Sequence, residues 1–306
     1  MRYLVTRLLS VIPVLFGVSV VVFSMLHVVP GDPVKMMLSE FQTSPEQIAR
    51  LRAQLHLDEP LPQQFGRFLW NAVRGDLGYS IRTRRPVHTE ILENVPSTII
   101  LALAGMGVAV GMGVTLGIVA AVRQRSWFDS GSMLVALLGV SMPGFWLGLL
   151  CIFVFSLKLG WLPATGGGDL WHLIMPALTL GMGASAIIAR LSRSCMLEVL
   201  RQDYITTARA KGLRESLVIL RHGLKNALIP VVTIVGLQLG QLLGGTVIIE
   251  TVFARPGVGR LIVNGILEKD FPLVQGVVLV GATGYVLINL LVDVTYGFLD
   301  PRIRDA

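Results

Sequence analysis

Charged side chains are scarce in this chain. They make up 15% of its 306 residues, whereas hydrophobic residues make up 53%. A soluble domain carries about 25% charged residues, so the composition excludes an ordinary soluble protein. Several uninterrupted apolar runs of about 20 residues are long enough to cross a bilayer as helices. Such runs favour helices over the alternating ten-residue segments of a β-barrel. The sequence therefore predicts an all-α integral membrane protein.

The sequence also lacks the motifs of common catalytic and nucleotide sites. No G-x-x-x-x-G-K-[ST], H-E-x-x-H or G-x-S-x-G pattern occurs, so ATP hydrolysis and protease or esterase chemistry have no recognisable residues here. The five histidines show no spacing typical of a metal site. The two cysteines, Cys151 and Cys195, are predicted to be free buried thiols. We therefore predict no catalytic and no metal-binding residue.

Six apolar runs are predicted to span the membrane. They are residues 8–29, 97–121, 131–157, 172–192, 229–250 and 276–298. The first run is longer than the core of a signal peptide and has no cleavage site after it, so we expect an uncleaved span. Pro143 is expected to kink the third span. The predicted domains are residues 1–93 (first span and outer loop), 94–298 (transmembrane domain) and 299–306 (cytoplasmic tail).

The basic residues are distributed unevenly between the loops. The loop 190–228 holds most of its charge as Lys and Arg, and the net charge of the whole chain is +7. Because cytoplasmic loops collect Lys and Arg, both termini and this loop are predicted to lie in the cytoplasm. The same rule accounts for the basic balance without nucleic acid as a partner. The long loop 34–95, in which the charges nearly cancel, is predicted to be a small folded element outside the membrane, with a helix near 47–57.

Residues 199–230, called the basic segment below, carry the strongest functional signal. The pattern predicts a helix–turn–helix that breaks at Gly212. After the break, Leu213, Leu217 and Leu220 share a helical face, and the charged Arg214, Arg221 and Lys225 lie on other faces. One interpretation is a basic helix held at the membrane surface by anionic lipid. The other is a surface that a second protein binds.

Several motifs together resemble the permease subunits of ATP-binding-cassette (ABC) importers, in particular the dipeptide, oligopeptide and nickel branch. These motifs are Asp203 to Leu213, His222 to Pro230, Arg7-Leu8-Leu9, Pro30-Gly31-Asp32-Pro33, Gly75-Asp76-Leu77-Gly78, Glu250 to Phe253, Pro256 to Arg260 and Asp300 to Arg304. The resemblance covers essentially the whole chain. It implies the type I importer permease fold with six transmembrane helices, in the bacterial inner membrane.

The resemblance implies that the basic segment couples the permease to a separate ATPase. The residues that would form the coupling loop are Asp203, Tyr204, Ala208, Arg209, Ala210, Lys211, Gly212, His222, Asn226 and Pro230. Ala208 and Gly212 would allow close approach, and Arg209, Lys211 and Arg214 would supply charge to the rim of the partner. The general importer loop has a glutamate where this chain has Thr206, so no role is carried over for that glutamate.

The same resemblance implies the partners. They are a paralogous permease subunit, two ATPase subunits and an external solute-binding protein that contacts the outer loops. ATP and magnesium would bind at the ATPase subunits, and this chain would bind no cofactor. Short peptides, including glutathione-like ones, are the expected substrates, with nickel complexes or another small solute as alternatives.

Polar residues within the spans are the candidates for the transport pathway. They are Thr233, Gln238, Gln241, Asn289 and Asp293. The glutamines could instead hydrogen-bond neighbouring helices. For Asp293 we favour an ion pair with Arg190 or Arg193 over a role in the pathway, because an unpaired acid in the membrane is costly.

A self-powered secondary transporter is the rival interpretation, and a membrane-embedded enzyme ranks third. A secondary transporter usually has more spans, recognisable halves and intramembrane charges for coupling ions. Six spans and one candidate buried acid fit that class poorly.

Overall fold

The computed structural model describes residues 2–28, 33–37, 44–54 and 56–299, and within these ranges the regular structure is helical apart from one isolated β-bridge between Tyr79 and Pro86. The helices are α1 Arg2–Val28, α2 Pro33–Met37, α3 Pro45–Gln54, α4 Leu61–Val73, α5 Val87–Val122, α6 Trp127–Ser141, α7 Gly144–Cys151, α8 Trp171–Val199, α9 Asp203–Ala210, α10 Glu215–Leu217, α11 Leu224–Val252, α12 Val258–Leu267 and α13 Phe271–Leu299. Two π-helical segments, Ile152–Lys158 and Val218–Gly223, continue α7 and α10.

Five of these helical stretches are long and apolar enough to cross a membrane. They lie in α1, α5, α8, the continuous stretch Glu215–Val252 and α13. The pair α6 and α7 also passes this test when taken together, which makes six spans if the pair counts as one. The predicted all-α fold with six spans agrees with this arrangement.

The third predicted span is not one kinked helix. It is broken into α6 and α7, which are bent by 106°. Met142, which precedes Pro143, is extended with φ −87° and ψ 129°, as a residue before proline prefers. Pro143 has no N–H to continue the hydrogen bonds of α6 and instead stands before the first residue of α7. The proline therefore ends one helix and starts another.

The span helices extend beyond the predicted apolar cores. α5 begins at Val87 rather than near 97, α8 continues to Val199, α11 begins at Leu224 and α13 begins at Phe271. Hydropathy marks the part of a helix that lipid can surround, whereas polar residues continue the helix on either side. Between the first two spans, α3 overlaps the helix predicted near 47–57. Residues 29–32 and the terminal 300–306, with their motifs, lie outside the described residues.

The chain forms two compact units, one of Met1–Pro96 with Gly257–Ala306 and one of Ser97–Pro256. The domain limits that the sequence predicts at residues 93 and 298 differ from the limits of these units, and they stay a prediction. In the first unit, α1 packs against α13 and α4. A core of Val87, Ile91, Leu273 and Val277 forms where the start of α5 meets α13.

A buried aspartate holds the loop before α5 in the first unit. Asp270 is 1% exposed and accepts hydrogen bonds from Ser80 Oγ (2.5 Å) and from the N–H groups of Ile81 and Arg82 (3.0 and 3.2 Å). Its other oxygen accepts from the Leu273 N–H in the first turn of α13 (3.2 Å). One side chain thus caps α13 and fixes a loop almost 190 residues earlier in the sequence.

The same unit contains α12, a helix in the stretch between the fifth and sixth predicted spans, where the sequence predicts no helix. Val258, Leu261 and Ile262 of α12 pack on the core around Val87, and Gly265 is buried against α13. Their spacing of three and four residues is the signal of an amphipathic helix that could have been recognised. Its ten residues are too short to cross a membrane.

In the second unit, α8 is the central helix, and α6 and α11 pack against it. Its core contains Leu101, Met175, Ile188 and Phe253. The C-terminal part of α5 approaches α8 closely at Gly117, where an added Cβ would lie 2.5 Å from Ser192 Cβ and 2.7 Å from the Ala189 carbonyl oxygen. A glycine is therefore required there for helix packing.

Candidate functional site

The turn at the centre of the basic segment depends on Gly212. α9 ends at Ala210, and Gly212 has φ +74° while its N–H donates to the Arg209 carbonyl (2.9 Å). A left-handed residue directly after a helix is most often glycine, because other L residues are strained there. The helix break that the sequence predicted at Gly212 is confirmed. An added Cβ at this position would meet no atom of the described residues within 4 Å, so the requirement concerns the backbone and not space.

The basic segment has a small apolar core of its own. Ile205 and Val218 are 0% exposed and Ala208 is 7% exposed, with Leu200 and Leu213 packed around them. Ala208 therefore faces the interior of the segment, where a small side chain lets α9 lie close to Val218. By contrast, Leu217 and Leu220, which share the predicted apolar face, are 39% and 59% exposed.

A side-chain hydrogen bond ties α9 to the start of α11. Asn226 Nδ2 donates to the Tyr204 hydroxyl oxygen (2.7 Å) and lies 3.4 Å from the His222 carbonyl. His222 itself is half-buried in the π-helical turn before α11. Of the predicted coupling residues, Tyr204, Asn226 and His222 therefore form one connected group.

An ion pair crosses the turn. Arg209 donates to both carboxylate oxygens of Glu215, with Nη2–Oε1 at 2.7 Å and Nε–Oε2 at 3.1 Å. The hydrogen bond to Glu215 raises the pKa of Arg209 above its ordinary value. Arg209 thus supplies charge within the segment, while Lys211 and Arg214 remain exposed without such a partner among the described residues.

The other predicted coupling residues lie at the surface. Asp203 and Ala210 are exposed on the first and last turns of α9. Pro230 is exposed within α11, of which it is the seventh residue. The exposed surface of the segment therefore includes these residues together with Lys211, Gly212 and Arg214.

A cavity of about 380 Å³ lies in the second unit beside the break between α6 and α7. It is called the α6–α7 cavity below. Its lining includes Met142, Gly144, Thr179, Gln238, Gln241 and Ile249. The structure thus brings together two predicted pathway residues, Gln238 and Gln241. No Lys, Arg, His, Asp or Glu is among the described residues that line it.

The remaining pathway candidates do not line this cavity. Thr233 is exposed on α11, and Asn289 lies half-buried on α13 in the first unit. The side chain of Asp293 lies outside the described residues. Gln238 is 7% exposed, and its amide forms no hydrogen bond with the part of the chain that the structure describes. The alternative that Gln238 hydrogen-bonds a neighbouring helix stays a prediction.

Arg193 has a partner that the sequence did not suggest. Its Nε and Nη2 donate to Asp129 Oδ1 and Oδ2, at 2.7 and 2.8 Å. Asp129 also accepts the Arg125 N–H (3.1 Å), and its own N–H donates to Ser126 at the N-terminus of α6. The predicted ion pair of Asp293 with Arg190 or Arg193 stays a prediction, because the side chain of Asp293 lies outside the described residues. The Ser126-x-x-Asp129 pattern is the only local signal for this site.

The cysteines and histidines have structural surroundings. Cys151 and Cys195 are free, as predicted, but half-buried. His27 contacts Gln64 Oε1 (3.1 Å), and His172 contacts Asp169. Within the described residues, no three His, Cys, Asp or Glu side chains are grouped so that they could hold a metal ion.

Comparisons with known proteins give matches to membrane components of transport systems. The family model of the binding-protein-dependent transport system inner membrane component matches residues 113–305, and the model of its N-terminal part matches residues 1–102. The dipeptide transport system permease protein DppB of Alkalihalophilus pseudofirmus is 46% identical, with 99% of each chain covered. The glutathione transport system permease protein GsiC of Escherichia coli strain K12 is also 46% identical, again over 99% of each chain.

Two solved structures resemble the fold. A chain of the methionine ABC transporter MetNI in an inward-facing conformation aligns with a TM-score of 0.57 and 19% identity, over 69% of this chain and 96% of that one. A chain of an amino acid ABC transporter aligns with a TM-score of 0.53 and 12% identity, over 68% of this chain and 92% of that one. At these identities the likeness is one of fold alone.

Proposed function

Because this chain belongs to the family of inner membrane components of binding-protein-dependent transport systems, we propose that it imports short peptides together with an ATPase and a solute-binding protein. It is a multi-pass inner membrane protein with the type I fold of ABC importer permeases. Relatives named for dipeptide and glutathione transport support peptides as the substrate class.

The observation that carries the proposed mechanism is the internal organisation of the basic segment. Its apolar core, the Tyr204–Asn226 hydrogen bond and the Arg209–Glu215 ion pair use the side chains that point inward or across the turn. Lys211 and Arg214 are left exposed around Gly212. A folded projection with free cations at its tip suits a cleft in a second protein, and an acidic rim would complement it.

The coupling step follows from the connection between the segment and α11. A displacement of α9 by a partner would be passed through Tyr204 and Asn226 to α11, which carries Gln238 and Gln241 into the α6–α7 cavity. The permease is then a two-state element whose equilibrium the partner biases. In this proposal ATP and magnesium bind to two ATPase subunits, and this chain hydrolyses no ATP.

The assembly includes a second permease subunit, paralogous to this one, so that two chains enclose one pathway. The basic segment and both termini face the cytoplasm, in agreement with the excess of Lys and Arg in the loop 190–228. The loop 34–95 faces outward and contacts the solute-binding protein.

Substitution of Gly212 tests the docking of the basic segment. Gly212→Asp places a carboxylate at the tip, between Lys211 and Arg214, where the added Cβ would meet no described atom within 4 Å. We expect peptide import by the assembled complex in proteoliposomes to fall at least tenfold, an effect of about 1.4 kcal/mol on the coupled step. ATP hydrolysis should no longer respond to the loaded binding protein.

Gly212→Asn is the matched control, because asparagine has nearly the same shape as aspartate, accepts a positive φ and carries no charge. It should retain most of the import activity. Normal import by a well-inserted Gly212→Asp variant would refute the docking of this turn on the ATPase. Peptide uptake by the purified chain alone, driven by an ion gradient, would instead favour a secondary transporter.

A further inference from the structure

We propose that the α6–α7 cavity is a transient binding site for the C-terminal carboxylate of the transported peptide. The ligands would be the N–H of Gly144 at the start of α7 and the side-chain amides of Gln238 and Gln241. This inference rests on the peptide transport proposed above and adds to it which end of the substrate the membrane pathway recognises.

The first observation is the orientation of a helix end. The break at Pro143 places the N-terminus of α7 at the cavity, and Gly144 is among the lining residues. α7 is eight residues long and continues as a π-helix to Lys158. The Gly144 N–H has no acceptor among the described residues, as is usual for the first N–H groups of a helix. Such an end carries partial positive charge and favours an anion.

The second and independent observation is Gln238, a largely buried side chain whose amide has no hydrogen-bond partner among the described residues. Gln238 is 7% exposed and lines the cavity, yet no described residue accepts or donates a hydrogen bond to its side chain. Gln241, one helical turn later on the same face of α11, is exposed to the same cavity. These amides can donate N–H groups to an oxygen that enters.

The chemistry of the lining favours the carboxylate over the ammonium end of a peptide. A carboxylate that leaves water for a membrane cavity needs donors to replace its hydration. The lining contains no acidic side chain that could pair with an ammonium group. It also contains no Lys or Arg, so the carboxylate would be held by neutral donors. Neutral donors suit a transit site, because binding is weak enough for release.

Variants of the two glutamines in the complete complex test this site, with import of a free-acid dipeptide as the readout. Gln238→Leu removes a buried donor with little change in size, and import should fall roughly tenfold, the effect of one hydrogen bond to a charged group. Gln241→Glu adds a negative charge at the exposed position and should reduce import by at least as much. Gln241→Lys should import faster than Gln241→Glu.

The control is Thr246→Val on the same helix. Thr246 is buried, its hydroxyl donates to the Leu243 carbonyl within α11, and it does not line the cavity. This variant should import at the wild-type rate. All rates are normalised to the amount of assembled complex in the membrane.

The outcomes separate the two proposals. If the wild-type complex imports no dipeptide, the proposed function fails. If the wild-type complex imports dipeptide and Gln238→Leu and Gln241→Glu match it, the carboxylate site fails while the proposed function stands. A faster Gln241→Glu together with a slower Gln241→Lys would assign the cavity to an ammonium group and overturn the inference.

Discussion

The ion pair between Arg193 and Asp129 allows a test of how burial affects the contribution of an ion pair to stability. Arg193→Ala should destabilise the folded chain by about 2–4 kcal/mol. Loss of one partner of a fully buried pair costs about 3–5 kcal/mol, and the lower range applies because the Arg193 side chain is 29% exposed, although that of Asp129 is only 10% exposed. After the substitution, Asp129 would keep the Arg125 N–H but lose both guanidinium donors.

The Arg209–Glu215 pair is a matched control within the same chain. Its shorter contact is also 2.7 Å, but the two side chains are 43% and 54% exposed. An exposed pair contributes about 0–1 kcal/mol, so Arg209→Ala should have little effect on stability. The difference between the two substitutions then measures mainly the effect of burial, since both pairs join an arginine to both oxygens of a carboxylate.

The assay is reversible denaturation of the purified protein in mixed micelles, with the free energy of unfolding compared between variants. The double variant Asp129→Asn with Arg193→Gln should be less destabilised than Arg193→Ala, because no unpaired charge remains. Equal destabilisation by Arg193→Ala and Arg209→Ala, within about 0.5 kcal/mol, would refute the reasoning from burial.

Two further predictions concern packing and the loop before α5. Gly117→Ala should destabilise the chain by about 1–3 kcal/mol, because its Cβ would overlap α8. Gly111→Ala on the same helix, whose added Cβ meets no described atom within 4 Å, should be neutral or stabilising by up to about 1 kcal/mol. Thermal unfolding of the two variants compares these effects, and equal effects would contradict the close approach of α5 to α8. Asp270→Ala should lower the free energy of unfolding by about 3 kcal/mol, because it leaves several buried donors without an acceptor. It should also make residues 78–86 accessible to proteolysis, and Asp270→Asn should do so to a smaller extent. Unchanged protease resistance in Asp270→Ala would show that other contacts hold the loop.

The spans were predictable from the sequence because lipid imposes long apolar runs. The break at Pro143 was foreseen only as a kink, since proline removes a hydrogen bond in either case and the surrounding packing determines the angle. The helix α12 was missed because ten residues in an outer loop do not satisfy a hydropathy test. Its Val258, Leu261 and Ile262 spacing was nevertheless visible.

The candidate site was predictable where a local rule applied. Gly212 was recognised because a helix that ends at a left-handed residue needs glycine. The Tyr204–Asn226 bond joins residues 22 apart and the Arg193–Asp129 pair joins residues 64 apart, and no periodicity encodes such contacts. The sequence selects Gln238 for its polarity alone, because it does not show which side chains line a cavity.

The apolar core beneath α9 has a mechanical consequence. An isolated helix of eight residues, such as α9, is not stable in water and would unfold under a small force. It can pass on a displacement only if other contacts hold it folded. The apolar core of the basic segment joins α9 to the chain before α11 through Ile205, Ala208 and Val218. The Tyr204–Asn226 hydrogen bond adds a second connection between α9 and α11. If a partner displaces the tip of the basic segment, as proposed above, these contacts would carry the displacement to α11 as movement of one rigid unit, without local unfolding.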